Sequence, residues 1–349
     1  MAKIKLCCLF GGASEEHEVS LVSAASVLSQ INREKYEITT VGITKEGKWL
    51  LFEGALDDLT ADTWQSFAEK EVILPATKGL GEIYILSGDT VSRRKIDVVF
   101  PIMHGKNCED GTLQGLLEMA GLPFVGPGCL SSAVCMDKAS TKMILKNYGI
   151  PQAAALAVDR MEIEKMPSRI ALAAEALGSP LFVKPSASGS SCGVSRVNSS
   201  EELLPALHKA LLSDNRVLIE ECIKGAEVEV AVLGNDEPFA SIPGEIAPGS
   251  EFYDYDTKYK NDTASYYIPA RISDSAMERV RKYALKIYKV LGCKGLARVD
   301  FFVDGERVVF NEINTLPGFT AISMYPKMME ASGIPYAELI DRLVKLAME

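Results

Sequence analysis

The stretch RVDFFVDGERVVFNEINTLPG, residues 298–318, decides how this chain is read. Arg298 and Asp300 stand two apart on one expected strand, and Glu312 and Asn314 stand two apart on the next, so each pair shares a face. Val299, Phe301, Val309 and Phe310 mark out an apolar face beside them. Three oxygen ligands and a guanidinium on one face suit Mg2+ and phosphate. A solvated hairpin face could carry similar residues, but it need not end abruptly at Asn314 before a Leu-Pro-Gly. For Asp300 and Glu312 to hold one ion they must share a face, as directly opposed residues do. Their positions sum to an even number, so regular pairing needs an odd-length connection. A two-residue turn at Asp304-Gly305 would send the carboxylates to opposite faces. The spacing predicts a three-residue loop that includes Glu306, or a bulge that restores the parity.

Before this hairpin, strand and helix patterns alternate. Strands are expected at Lys3–Phe10, Tyr36–Ile43, Val98–Met103 and Pro123–Val125, with helices at Val19–Gln30 and Leu113–Ala120. That alternation implies a parallel sheet covered by helices; residues 53–95 carry no clear pattern. A helix over Lys138–Tyr148 stops at Gly149-Ile150-Pro151. Beyond it the reading is a helix Arg169–Leu177, strands Leu181–Lys184 and Gly193–Val197, a helix Glu201–Leu212 and a strand Arg216–Glu220. Strands Glu227–Leu233 and Ala240–Glu245 follow, then the helix Asp274–Leu291, N-capped by Ser273 and ended by Gly292. The chain closes with the hairpin strands Leu296–Val303 and Arg307–Asn314 and one terminal helix.

With 349 residues, 47% of them apolar and 24% charged, the chain is that of a globular protein of two or three domains. Its 47 acidic residues outnumber its 37 basic ones, which argues against a nucleic-acid partner. No apolar run approaches membrane-spanning length, and the run at Leu6–Phe10 is too short for a signal peptide. A cytoplasmic protein is expected. Eight cysteines without a CxxC pair, and only three histidines, argue for reduced structural thiols and against a zinc centre.

Three loops outside the hairpin can carry chemistry. GGASEEHEVS, residues 11–20, follows a strand and opens a helix, where dinucleotides bind, yet it holds Glu15, Glu16 and Glu18. Carboxylates there repel a pyrophosphate and suit an ammonium ion, although they also simply complement the helix dipole. VKPSASGSSCGVS, residues 183–195, offers small residues, hydroxyls and Lys184 to phosphate oxygens, but it is not a Walker loop and its composition also fits a flexible surface loop. HGKNCEDGTLQG, residues 104–115, opens with His104 at the carboxyl edge of the expected sheet, the usual crevice position.

Together with CMDKASTK (135–142), EFYDYDTKY (251–259) and NEINTLPGFT (311–320), these segments occur in the order and spacing seen in D-alanine–D-alanine ligases of the ATP-grasp superfamily. The resemblance spans essentially the whole chain and is also close to the vancomycin-resistance D-Ala–D-Ser ligases. Cys108 and Cys192 stand where small or aliphatic residues are more usual. The resemblance implies an α/β fold: an N-terminal parallel-sheet, Rossmann-like domain (1–130), then an ATP-grasp pair (131–215 and 216–349) with a mobile loop at about 249–266.

It also implies the chemistry. The carboxylate of one D-alanine takes the γ-phosphoryl group of ATP, and the amine of a second D-alanine attacks the acyl phosphate. Lys138, Lys184 and Ser191 would hold ATP phosphates; Glu220 and the Ile223 backbone would meet the adenine, and Glu227 the ribose. Asp300, Glu312 and Asn314 would bind two Mg2+ ions, with Mn2+ as a possible substitute. Arg298 and the Gly318 backbone would stabilise the tetrahedral intermediate. Glu16 would receive the first ammonium and His104 would line the site. Ser323 with Met324 would face the second substrate, Ser190 and Tyr259 would link Glu16 to the loop, and Lys258 would reach the phosphate. A homodimer is implied as well. The rival readings are a ligase of this fold taking D-Ser or D-lactate, and a non-catalytic binding protein that kept the fold.

Overall fold

The computed structural model describes residues 2–189, 192–247 and 265–349. The first of three sheets has seven strands: β1 (Ile4–Gly11), β2 (Tyr36–Ile43), β3 (Trp49–Phe52), β4 (Lys70–Ile73), β5 (Glu82–Ser87), β6 (Thr90–Lys95) and β7 (Val98–Met103), in the order β6-β5-β4-β3-β2-β1-β7. β1 lies parallel to both β2 and β7, as the alternating pattern requires. Leu6 to Phe10 are fully buried because both faces are covered. Leu6, Cys8 and Phe10 face one core, which includes the helices His17–Gln30 and Tyr336–Ala347, while Cys7 and Leu9 face another, under the helix Thr112–Ala120.

The sheet is mixed rather than wholly parallel. Residues 49–95, of which 53–95 showed no clear pattern, supply four antiparallel strands beyond β2. Two of them are only four residues long, too short to display an alternation, and the edge strand β6 is exposed and ends in Arg93-Arg94-Lys95. Pro123–Val125 forms only a single bridge, Val99 to Phe124. The terminal helix is two helices, Met324–Ala331 and Tyr336–Ala347, parted at Gly333 (φ +87°) and Pro335.

The second sheet takes β8 (Ala155–Asp159), β9 (Leu181–Pro185), β10 (Ser195–Val197) and β11 (Arg216–Glu221), in the antiparallel order β10-β9-β11-β8. The third contains β12 (Ala226–Leu233), β13 (Phe239–Ala240), β14 (Gly244–Ala247), β15 (Ser265–Tyr267), β16 (Leu296–Asp304) and β17 (Arg307–Asn314). The single strand expected over Ala240–Glu245 is split between β13 and β14, with Pro243, which has no N–H to donate, between them. β11 completes the second sheet, while Cys135, Leu145 and Ile150, from the helices Cys129–Met136 and Lys138–Asn147 and the turn after them, join the core of the third. Buried apolar faces set that partition. The loop expected at 249–266 falls outside the described residues, except that Ser265 and Tyr266 open β15.

One glycine is fixed by packing. A Cβ on Gly42 of β2 would sit 2.3 Å from the Trp64 ring and 2.6 Å from Phe10, in the aromatic cluster these rings form with Phe52. Gly42→Ala should therefore destabilise the protein by about 1–3 kcal/mol through overpacking, read as a lower urea midpoint. An unchanged midpoint would contradict this packing.

Candidate active site

The hairpin that carries the site resolves its parity by a bulge. Asp304 pairs with Arg307 around a two-residue Gly305-Glu306 turn, and Phe301 pairs with Phe310, but Asp300 pairs with Glu312 and Arg298 with Asn314. Asn311 is the extra residue, and it returns Glu312 and Asn314 to the face of Arg298 and Asp300. On that face the Arg298 Nε and Nη2 donate to the two Asp300 carboxylate oxygens at 2.9 and 2.8 Å, and Asn314 Nδ2 donates to Asp300 Oδ2 at 3.0 Å. Glu229 of β12, opposite Asp300 in register, places Oε1 3.2 Å from Arg298 Nε. Burial disfavours the guanidinium charge, but Asp300 and Glu229 more than offset this and hold Arg298 protonated. Two carboxylates and an amide form a hard oxygen donor set, which fits Mg2+.

This face opens into a cleft also lined by Glu16, His104, Glu109, Lys138, Ser188 and the segment Ile313–Gly318. Glu16 directly precedes the helix His17–Gln30. A Cβ on Gly105 or Gly189 would come within 2.7 or 2.8 Å of Glu16 Oε2, so two glycines let backbone approach this carboxylate. His104 is buried, and its Nδ1–H donates to the Leu316 carbonyl at 2.9 Å. Its Nε2 lies 3.2 Å from the Ser23 hydroxyl, which also receives the Phe319 N–H at 3.4 Å. Burial lowers the His104 pKa against the pull of Glu16, so the imidazole is neutral. Glu109 completes a clamp on the same residue: its carboxylate accepts from the N–H groups of Gly105 at 2.8 Å and Leu316 at 3.0 Å. The loop after β7 thereby grips the loop after β17.

Lys138 Nζ donates to the Ser188 carbonyl at 2.7 Å and lies 3.4 Å from Glu312 Oε2. Lys184 of β9 pairs with Glu220 of β11, and Lys142 pairs with the same carboxylate. Ile223 follows β11 and Glu227 lies near the start of β12, both half-buried. A Cβ on Gly318 would meet Ser323 Oγ at 2.8 Å, and that oxygen accepts the Thr320 N–H at 3.0 Å.

The structure thus brings Glu16, His104, Lys138, Arg298, Asp300, Glu312, Asn314 and Gly318 together. It does not bring Met324 to the cleft wall: at 4% exposure, Met324 packs in the core, where its methyl would touch a Cβ on Gly244. Ser190, Ser191, Lys258 and Tyr259 lie outside the described residues. Sequence reasoning assigned no role to Glu109, Glu229 or Lys142. Glu109 stood in a quoted loop, Glu229 two residues from Glu227, and Lys142 one helical turn past Lys138, so a signal existed for each.

Glu109 makes stability depend on pH. Burial, reinforced by the Glu16 carboxylate, pushes its pKa up to about 8, against the two N–H bonds and Arg298. Below about 8 the folded protein keeps a proton, which the unfolded chain releases above about 4.3. The contribution of this group to stability is therefore fully present at low pH and falls as pH rises through that window. The pH profile of the urea midpoint should lose this falling component in Glu109→Gln. Parallel profiles for the two proteins would contradict it.

The comparisons with known proteins agree with one another. Residues 5–127 match the family description "D-ala D-ala ligase N-terminus", and residues 144–345 match "D-ala D-ala ligase C-terminus". The chain is 49% identical to D-alanine–D-alanine ligase B of Clostridium tetani, covering 99% of this chain and 94% of that one. It is also 49% identical to the D-alanine–D-alanine ligase of Caldicellulosiruptor bescii, over 100% and 96% of the two chains. Among solved structures, the VanG D-Ala:D-Ser ligase from Enterococcus faecalis superposes with a TM-score of 0.89 at 39% identity, over 99% of this chain and 100% of that one. The D-alanine–D-alanine ligase from Coxiella burnetii gives 0.85 at 36%, over 100% and 94%. Two family descriptions covering most of the chain, and full-length relatives near half identity, put this chain in the D-alanine–D-alanine ligase family.

Proposed function

We propose that this chain joins two D-alanine molecules at the expense of ATP, supplying the D-Ala–D-Ala dipeptide to peptidoglycan precursors. The single observation that carries the reading is the cleft itself, where a carboxylate suited to an ammonium ion faces an arginine, oxygen ligands and a lysine. Glu16 receives the ammonium of the first D-alanine. Lys138 and Lys184 hold ATP phosphates, together with Ser191 and Lys258, while Glu220, the Ile223 backbone and Glu227 take the adenosine. Asp300, Glu312 and Asn314 would hold two Mg2+ ions, which when bound offset the charge of the phosphates. The carboxylate of the first D-alanine attacks the γ-phosphorus and ADP leaves. The amine of the second D-alanine then attacks the acyl carbon of the acyl phosphate. Arg298 and the Gly318 N–H stabilise the developing oxyanion, and inorganic phosphate departs. His104, with both ring nitrogens engaged, holds the Leu316–Gly318 loop rather than moving a proton. Ser190 and Tyr259, which lie outside the described residues, keep the roles beside Glu16 that the family resemblance implies.

The second substrate is D-alanine rather than D-serine. The two relatives at 49% identity carry the D-alanine–D-alanine name, and Met324, packed in the core away from the cleft wall, offers a D-Ser hydroxyl no partner. A D-Ser hydroxyl left without a partner costs about 1–3 kcal/mol, or roughly tenfold to a hundredfold in preference. The likeness to the VanG D-Ala:D-Ser ligase keeps D-Ser as the alternative. The proposal includes a cytoplasmic homodimer, which the family resemblance implies; among the described residues no helix is long and apolar enough to cross a membrane.

Mixing the protein with ATP, Mg2+ and D-alanine should release phosphate, and Glu312→Gln should lower kcat roughly a hundredfold. No release at neutral to mildly alkaline pH would contradict the ligase reading. With D-alanine and D-serine at equal concentration, mass spectrometry should find D-Ala–D-Ala in excess. Mostly D-Ala–D-Ser would reverse the acceptor assignment.

A further inference from the structure

The helix Lys138–Asn147 carries three lysines at successive turns, of which Lys146 is exposed to solvent and Lys138 and Lys142 are not. The proposed reaction employs Lys138 and leaves Lys142 without a task. Yet Lys142 is 7% exposed, and its Nζ lies 2.5 Å from Glu220 Oε1. Lys184 takes the other oxygen, Oε2. Lys184 pairs with Leu218 across β9 and β11, two residues from Glu220, so Lys184 and Glu220 share a face of the second sheet. The helix delivers Lys142 to them. Glu221, the neighbouring carboxylate, is engaged elsewhere: it accepts the Ala154 N–H at 2.9 Å and lies 3.8 Å from Arg307.

One carboxylate held by two ammonium groups leaves a buried surplus of one positive charge, which is unfavourable unless an anion joins it. Burial pushes the Lys142 pKa down and Lys184 adds to this, while Glu220 works against both. Burial alone would raise Glu220, but the two lysines outweigh it and keep the carboxylate ionised. We propose that Lys142 is a positioning residue for nucleotide binding: it remains on Glu220 as a permanent counterion, so that the charge of Lys184 acts on the phosphates of a nucleotide instead of being cancelled. This rests on the reading that the cleft takes ATP. Without Lys142, Glu220 and Lys184 would form a neutral pair and the surplus would vanish.

The test separates phosphate recognition from the rest. Calorimetry on the full chain measures Kd for a non-hydrolysable ATP analogue with Mg2+ and for adenosine, and the ratio of adenosine Kd to analogue Kd isolates the phosphates. In Lys142→Met that ratio should fall at least about tenfold, the effect of one unit charge several Å away at an effective protein dielectric. Lys142→Arg should keep it. In the double variant Lys142→Met/Glu220→Gln the ratio should return to within about threefold of the unmutated value, because the charge balance returns. Glu220→Gln alone should not lower it, and this arm decides the matter even if Lys142→Met does not fold. A fall in Glu220→Gln, or equal weakening of both probes in a folded Lys142→Met, would overturn the assignment and leave ATP use intact. Failure of the unmutated chain to bind either probe would overturn both.

Discussion

The rest of the site depends on the pairing of Arg298 with Asp300, made on a strand whose partner carries one extra residue. Asp300 accepts two hydrogen bonds from the guanidinium and one from Asn314, and Glu229 adds a second carboxylate to the same arginine. Removing one member of such a buried network costs about 3–5 kcal/mol, because an uncompensated charge stays behind. The arrangement exists only because Asn311 bulges. In a regular hairpin with this turn Glu312 and Asn314 would face away from Arg298. One residue therefore decides whether three oxygen donors and a guanidinium face a common space.

Around this hairpin the other loops are fastened rather than merely adjacent. Leu316, two residues past the bulged strand, has its N–H held by Glu109 and its carbonyl held by His104. Both holders come from the loop after β7, so the first sheet carries the third sheet's loop at a fixed height. Gly105 and Gly189 then bring backbone against the Glu16 carboxylate, each at a place where a Cβ would collide with it. The neutral His104 follows from this use: an imidazole that donates from Nδ1 and meets a hydroxyl at Nε2 is committed to architecture. Lys138 closes the fourth side by spanning Ser188 and Glu312.

Much of this was legible in the sequence, for physical reasons that also explain the gaps. β1 and β7 are buried on both faces along nearly their whole length and read as apolar runs, and the helix Asp274–Val290 shows its caps and period. The parity of positions 300 and 312 calls for either a three-residue loop or a bulge, and the two-residue Gly305-Glu306 turn leaves the bulge, whose location at Asn311 has no mark in the sequence. The four antiparallel strands of residues 49–95 were hidden because short, half-exposed strands have little pattern to show. A helix does not announce which sheet its apolar face will cover, as Leu145 against the third core shows. Glu109, Glu229 and Lys142 were missed for a related reason: their partners are distant in sequence, and a charge is recognised as part of a site only when its counter-charge is seen.

The central claim is that the bulged hairpin gathers Asp300, Glu312 and Asn314 into one metal-binding face. Electron paramagnetic resonance of Mn2+ bound with ADP tests this without relying on turnover. The account predicts that Asp300→Asn and Glu312→Gln each weaken Mn2+ binding by about tenfold or more. Equal Mn2+ affinity in the unmutated protein and both variants would contradict it.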